Sequence, residues 1–152
     1  MPSKKIKKYP SFSFRDTQKL GEEFAASLRA DAKSGAVILA LQGDLGAGKT
    51  TFTQGFFRGL GLKRPAQSPT FIIMRRHGVR KNGFKNIFHI DAYRLTEADQ
   101  LAALGFEEIA HDPKNVILVE WAERAKAILP KSAIWISFTH GKKENKRTIV
   151  FK

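Results

Sequence analysis

The chain contains no cysteine, which excludes a disulfide framework, thiolate zinc sites, a cysteine nucleophile and dithiol redox chemistry together. A reducing, intracellular compartment fits that composition. Long hydrophobic runs are missing too: the longest clean apolar stretch, residues 36–41, falls far short of the roughly 20 residues a membrane helix needs. The N-terminal MPSKKIKKYP carries four lysines but no apolar stretch of signal-peptide length. A cytoplasmic protein with no membrane association is the resulting expectation. Acids are also scarce, 14 against 27 lysines and arginines, which leaves a formal charge of +13. That excess suits a polyanionic contact, but its lysines are scattered and suit an ordinary solvated cationic surface equally well.

What is present is enough for one domain. A chain of 152 residues buries sufficient surface to fold without a staple. Residues 1–11 read as a flexible basic arm, because four lysines within five positions repel one another, and residues 12–152 as the folded domain. Leu20, Phe24, Leu28 and Ala32 recur at helical spacing behind Asp16 or Thr17 as cap, predicting a helix over residues 16–33. Residues 36–42 form a short apolar run between glycines, the pattern of a strand covered on both faces, and residues 49–60 carry Phe52, Phe56, Phe57 and Leu60 on a helix. Extended stretches at 70–77 and 84–91 flank an Asn82-Gly83 turn signal. A short helix at 96–104 closed by Gly105, a buried strand at 116–119 ending at Glu120, a helix at 122–129 and a last hairpin from 133–139 and 148–151 complete the chain. The expected product is a single α/β domain: a mixed sheet with helices on both faces and an antiparallel hairpin insertion.

Between the first apolar strand and the phenylalanine-rich helix lies Gly43-Asp44-Leu45-Gly46-Ala47-Gly48-Lys49-Thr50, a phosphate-loop pattern in the strand–loop–helix context that gives it meaning. Gly43, Gly46 and Gly48 let successive backbone N–H groups turn inward and approach phosphate oxygens closely. The candidate cradle is therefore Leu45, Gly46, Ala47, Gly48, Lys49, Thr50 and Thr51, with the helix N-terminus adding its positive dipole end. Lys49 would place its charge at the β- and γ-phosphates, the Thr50 hydroxyl would ligate a magnesium ion bridging them, and Thr51 is the candidate for α-phosphate contact.

Magnesium also needs an acid at the end of a neighbouring strand. Asp91, after Ile87-Phe88-His89-Ile90, and Glu120, after Val116-Ile117-Leu118-Val119, both qualify. Glu120 follows the more continuously apolar run and is the better metal acid, which leaves Asp91 to orient or deprotonate a water. The Asn-Lys-x-Asp stretch of guanine recognition does not occur, so adenine is the expected base. His89, between two apolar residues, reads as a structural histidine; Trp121 reads as packing; Tyr93 and Arg94 either brace the loop or dock onto a partner.

Several segments together resemble one family, the bacterial tRNA threonylcarbamoyladenosine biosynthesis ATPase TsaE. They are the phosphate loop through Thr51, Ser68-Pro69-Thr70-Phe71, His89-Ile90-Asp91-Ala92-Tyr93-Arg94-Leu95 and Glu120-Trp121, in that order, with fainter matches at residues 17–21 and Arg147. The resemblance runs from about Phe14 to Phe151. It implies a small P-loop ATPase that uses ATP and magnesium and works with the TsaB- and TsaD-type proteins that install threonylcarbamoyl on adenosine 37 of ANN-decoding tRNAs, touching tRNA indirectly. It further implies that Thr50 and Glu120 hold magnesium, that Asp91 is required for hydrolysis, that Thr70 senses the γ-phosphate, and that the adenine side is built near Phe14, Thr17, Lys146 and Arg147. Arg75, Arg76, Arg80, Lys81 and Lys85, around the hairpin, are not part of the family pattern. Two other functions use the same residues: a small-molecule kinase, against which stands the lack of length for an acceptor pocket and lid, and a nucleic-acid-binding module with a vestigial ATP site, supported by charge alone.

Overall fold

The computed structural model describes residues 6–63, 73–97 and 99–152. Strands β1 (Lys7–Ser11), β2 (Val37–Gly43), β3 (Met74–Lys81), β4 (Phe84–Asp91), β5 (Asn115–Glu120), β6 (Ile134–His140) and β7 (Arg147–Phe151) form one seven-stranded sheet in the order β1-β7-β6-β2-β5-β4-β3. Its centre, β6-β2-β5-β4, is parallel, and β1, β7 and β3 add antiparallel pairings outside it. Helices α1 (Phe14–Ser27) and α2 (Lys49–Gly59) cover one face; α3 (Asp99–Ala103) and α4 (Phe106–His111) lie on the other. The expected hairpin turns at Asn82-Gly83 and is antiparallel, and its second strand, β4, belongs at the same time to the parallel centre.

Alternation along the central strands explains the two cores. Leu39, Leu41, Ile87, Val116, Leu118 and Ile136 point to the α1/α2 face, where Phe52, Phe56 and Phe57 are buried; Ile38, Ala40, Ile90, Ile117 and Val119 point to the other. Each of those buried phenylalanines contributes about 1.5–3 kcal/mol relative to exposure.

Several boundaries differ from the sequence reading, each for a local reason. Residues 7–11 are not a flexible arm but the edge strand β1, paired with β7. Tyr9 packs edge-on against Phe151 (5.4 Å between ring centres), Ser11 is buried against Thr17 (2.7 Å), and Pro10, lacking an N–H, suits an edge position. Helix α1 starts earlier than predicted because Ser13 is its cap: Asp16 N–H donates to the Ser13 hydroxyl (3.1 Å), while the Asp16 carboxylate accepts from Phe12 N–H (3.0 Å). It also ends earlier, at Ser27, where Arg29 donates to the last carbonyls and Ala30 N–H goes to the Asn82 carbonyl of the hairpin turn. Gly105 (φ 84°) opens α4 as well as closing α3, and the predicted helix at 122–129 is only a 3-10 turn, Ala122–Ala125.

Candidate active site

The loop from β2 to α2 lies at the carboxyl end of the parallel strands. Its backbone passes through positive φ at Gly43 (145°), Gly46 (76°) and Gly48 (111°), conformations that a side chain resists. A Cβ on Gly43 would strike the Phe138 carbonyl of β6, whereas the corresponding space at Gly46 is open.

Lys49 is buried, 5% exposed, at the start of α2. Its Nζ donates to the Gly43 carbonyl and to the Asp44 carbonyl (2.8 Å), and lies 4.0 Å from the centre of the Trp121 ring. Burial lowers its pKa below the ordinary lysine value, while the charges of Glu123, Glu120, Asp44 and Asp91 oppose that shift. Next to it, the Thr50 hydroxyl donates to Glu120 Oε1 at 3.1 Å. Glu120 is buried at the end of β5, and its other oxygen, Oε2, is 2.6 Å from His89 Nε2. Asp91 pairs with Glu120 in the β4–β5 register and therefore ends the neighbouring strand on the same face. Its Oδ1 accepts from Tyr93 N–H (3.0 Å), capping the 3-10 turn Ala92–Arg94.

Among the described residues, no group of three or more histidines, cysteines or acids could enclose a metal. Thr50 and Glu120 instead offer two adjoining hard oxygen ligands beside the loop, the partial set that suits magnesium when nucleotide oxygens and water complete its shell.

Two adjoining clefts share Gly46, Gly48 and Thr51. Lys49, Thr50, Glu120 and Trp121 line one; Phe14, Thr17, Asn145 and Arg147 line the other. Arg147 ties the last hairpin to the loop, donating through Nη2 to the Gly46 carbonyl (3.3 Å) and through Nη1 to the Glu144 carbonyl (2.7 Å). The structure thus gathers Phe14, Thr17 and Arg147 beside the cradle. Lys146 stands apart from this cleft: its ammonium faces the Phe12 ring at 5.8 Å, and Asn145 occupies the lining position. Ala47 N–H donates to the Asp44 carbonyl (3.1 Å), so it closes the loop's own turn, and Leu45 sits at the tip, 84% exposed. Ser68, Pro69, Thr70 and Phe71 lie outside the described residues.

Two contacts went beyond the sequence reading. Trp121 not only packs but covers the Lys49 ammonium, and its left-handed backbone (φ 57°) has no signature in sequence. His89, buried as its apolar neighbours imply, bonds the candidate metal acid. A signal for the second existed: alternation puts His89 and Asp91 on one face, and the pairing of Asp91 with Glu120 then sets His89 diagonally across from Glu120.

Topology sets the class first. A central strand with a parallel neighbour on each side, delivering a glycine loop to the start of a helix, makes this a P-loop NTPase-like fold. The crystal structure of YdiB from Bacillus subtilis has the same architecture, with a TM-score of 0.75 and 31% sequence identity over 97% of this chain and 84% of that one. The family profile described as threonylcarbamoyl adenosine biosynthesis protein TsaE matches residues 12–149, and the chain belongs to that family. Among its relatives, the tRNA threonylcarbamoyladenosine biosynthesis protein TsaE of Bacillus subtilis is 43% identical over 99 residues, 65% of this chain and 59% of that protein, so less than two thirds of the Bacillus protein is matched. The Treponema pallidum protein of the same name is 33% identical over 127 residues, 84% of this chain and 87% of its own length.

Proposed function

We propose that this chain binds and hydrolyses ATP, with magnesium, as a subunit of the cytoplasmic machinery that forms the threonylcarbamoyl group on adenosine 37 of ANN-decoding tRNAs, alongside TsaB- and TsaD-type proteins. The observation that carries the reading is the meeting of Lys49, Thr50 and Glu120 at the mouth of the glycine loop in a TsaE-family chain. Gly46, Gly48 and Thr51 border both clefts, so a nucleotide lying along the loop would have its phosphates beside Lys49 and its adenine toward Phe14, Thr17 and Arg147.

In this reading Lys49 exchanges its carbonyl partners for oxygens at the β/γ bridge, where negative charge grows as the bond to the γ-phosphorus breaks. Thr50 and Glu120 would hold magnesium, which when bound would supply Lewis-acid charge to the phosphates. Asp91, anchored through Oδ1 by Tyr93 N–H, orients the attacking water and takes its proton as the new P–O bond forms. Thr70 reports the γ-phosphate. Products are ADP, phosphate and the proton released from water.

The test is Lys49→Ala in a phosphate-release assay with the partner proteins present. Loss of a preorganised charge at the transferring group is expected to lower turnover about 10²–10³-fold, with the fold retained. Turnover within a few-fold of the parent would overturn the phosphate-loop assignment.

A further inference from the structure

His89 has no exposed surface, and its Nδ1 is, among the described residues, the one buried side-chain nitrogen or oxygen without a hydrogen-bond partner. A proton on Nδ1 would be a donor with nowhere to go in a low-dielectric interior, a more costly arrangement than a bare ring nitrogen there. Donation from Nε2 to Glu120 Oε2, 2.6 Å away, is the arrangement that leaves no buried donor unpaired. Packing fixes the ring itself: Phe57 of α2 meets it edge-on, with centres 5.3 Å apart and planes at 80°.

Glu120 is thus held at both oxygens, Oε2 by a packed imidazole from β4 and Oε1 by the Thr50 hydroxyl from α2. Without the imidazole, the carboxylate would be able to rotate toward Lys49, whose ammonium its charge already attracts. We propose that His89 is a positioning residue that fixes the Glu120 carboxylate so that Oε1 alone is turned to the nucleotide cleft beside the Thr50 hydroxyl, setting the magnesium affinity of the site. This rests on the reading of Thr50 and Glu120 as the magnesium ligands. Outer-shell partners of metal ligands commonly contribute about 10–100-fold in metal affinity.

Two measurements on the full chain test it. Nitrogen-15 NMR of the protein without ligand is expected to show a proton on His89 Nε2, and a bare Nε2 would overturn the proposal. The second is the magnesium concentration needed to tighten binding of the β,γ-imido analogue of ATP, compared between the parent, His89→Leu and His89→Gln. His89→Leu is expected to raise that concentration by about tenfold while leaving binding in EDTA within about twofold of the parent. Glutamine can place an amide N–H close to the position of Nε2, so His89→Gln is expected to recover most of the loss. Parent-like magnesium dependence in His89→Leu, or equal losses with and without magnesium, would overturn the proposal by leaving His89 a packing role only. If His89→Leu does not fold, His89→Gln decides, since a loss of magnesium dependence there as large as that of Glu120→Gln would overturn it. A parent that shows no magnesium dependence would instead sink the underlying assignment of Glu120.

Discussion

Lys49 keeps its ammonium on the Gly43 and Asp44 carbonyls and against the Trp121 ring, so in the proposed function phosphate oxygens entering the loop would have to outcompete partners that are already in place. The two acids beside it are held differently, and their removal should fail differently. Glu120 is buried against Thr50 and His89, whereas Asp91 is only half-buried and is bound to the backbone of its own following turn. Glu120→Ala is expected to weaken magnesium-dependent ATP binding by about tenfold or more. Asp91→Ala is expected to spare binding and lower turnover by about 10²–10⁴-fold, the usual range for a lost general base. Titration and phosphate release measured on both variants check this, and a reversed pattern would exchange the two roles. At this scale the loop and the strand-end acids were legible because their chemistry is written in local order, glycines before a Lys-Thr pair and an acid closing an apolar run. Trp121 over Lys49 was not, because the contact depends on a left-handed residue after β5 and on α2 lying beside it, neither of which leaves a local pattern.

Between elements, α1 packs closely on α2, and glycine makes it possible. A Cβ on Gly55 would fall within the Gln18 carbonyl, and Gly21 faces the Phe52 carbonyl in the same way from the other helix. Helix α1 also brings Phe14 and Thr17 to the cleft that they line with Arg147. Gly55→Ala is expected to cost about 1–3 kcal/mol in a denaturant titration, because overpacking outweighs the gain in helix propensity. Gly78→Ala, where nothing lies within 4 Å, should stay within about 0.5 kcal/mol of the parent; equal effects of the two would show that the helices part without strain. The sequence revealed α2 and the parallel strands through apolar periodicity, and the hairpin through Asn82-Gly83. It concealed β1, since four lysines dominate residues 4–8 and only tertiary pairing with β7 reveals Tyr9 as an inward residue. It likewise concealed α4, too short for its period to register beside Gly105.

Across the whole molecule, the cleft lies along one end of the sheet, and large apolar side chains at its rim face outward: Leu45 is 84% exposed, Phe14 60% and Tyr93 51%. In the proposed function few of the described residues are placed to exclude water from the transferring phosphate, so a partner surface would complete the closure. Hydrolysis should then be slow for the chain alone and rise when the threonylcarbamoyl-transfer partners are added. Linkage fixes the companion effect, because a partner that binds the ATP-closed form better must itself be bound more tightly when ATP is present. Partner affinity is expected to differ between the ATP-analogue and ADP states by about 1–3 kcal/mol, the usual size of an allosteric coupling. Thr70→Ala should shrink that difference more than it weakens nucleotide binding, since a γ-phosphate sensor contributes to the closed form and little to the cradle. Calorimetric titration of the partners into the chain with no nucleotide, with ADP and with the β,γ-imido analogue measures the coupling directly. Equal affinities in all three states, together with hydrolysis unchanged by the partners, would mean that the chain completes its own site and that nucleotide state carries no signal to the assembly.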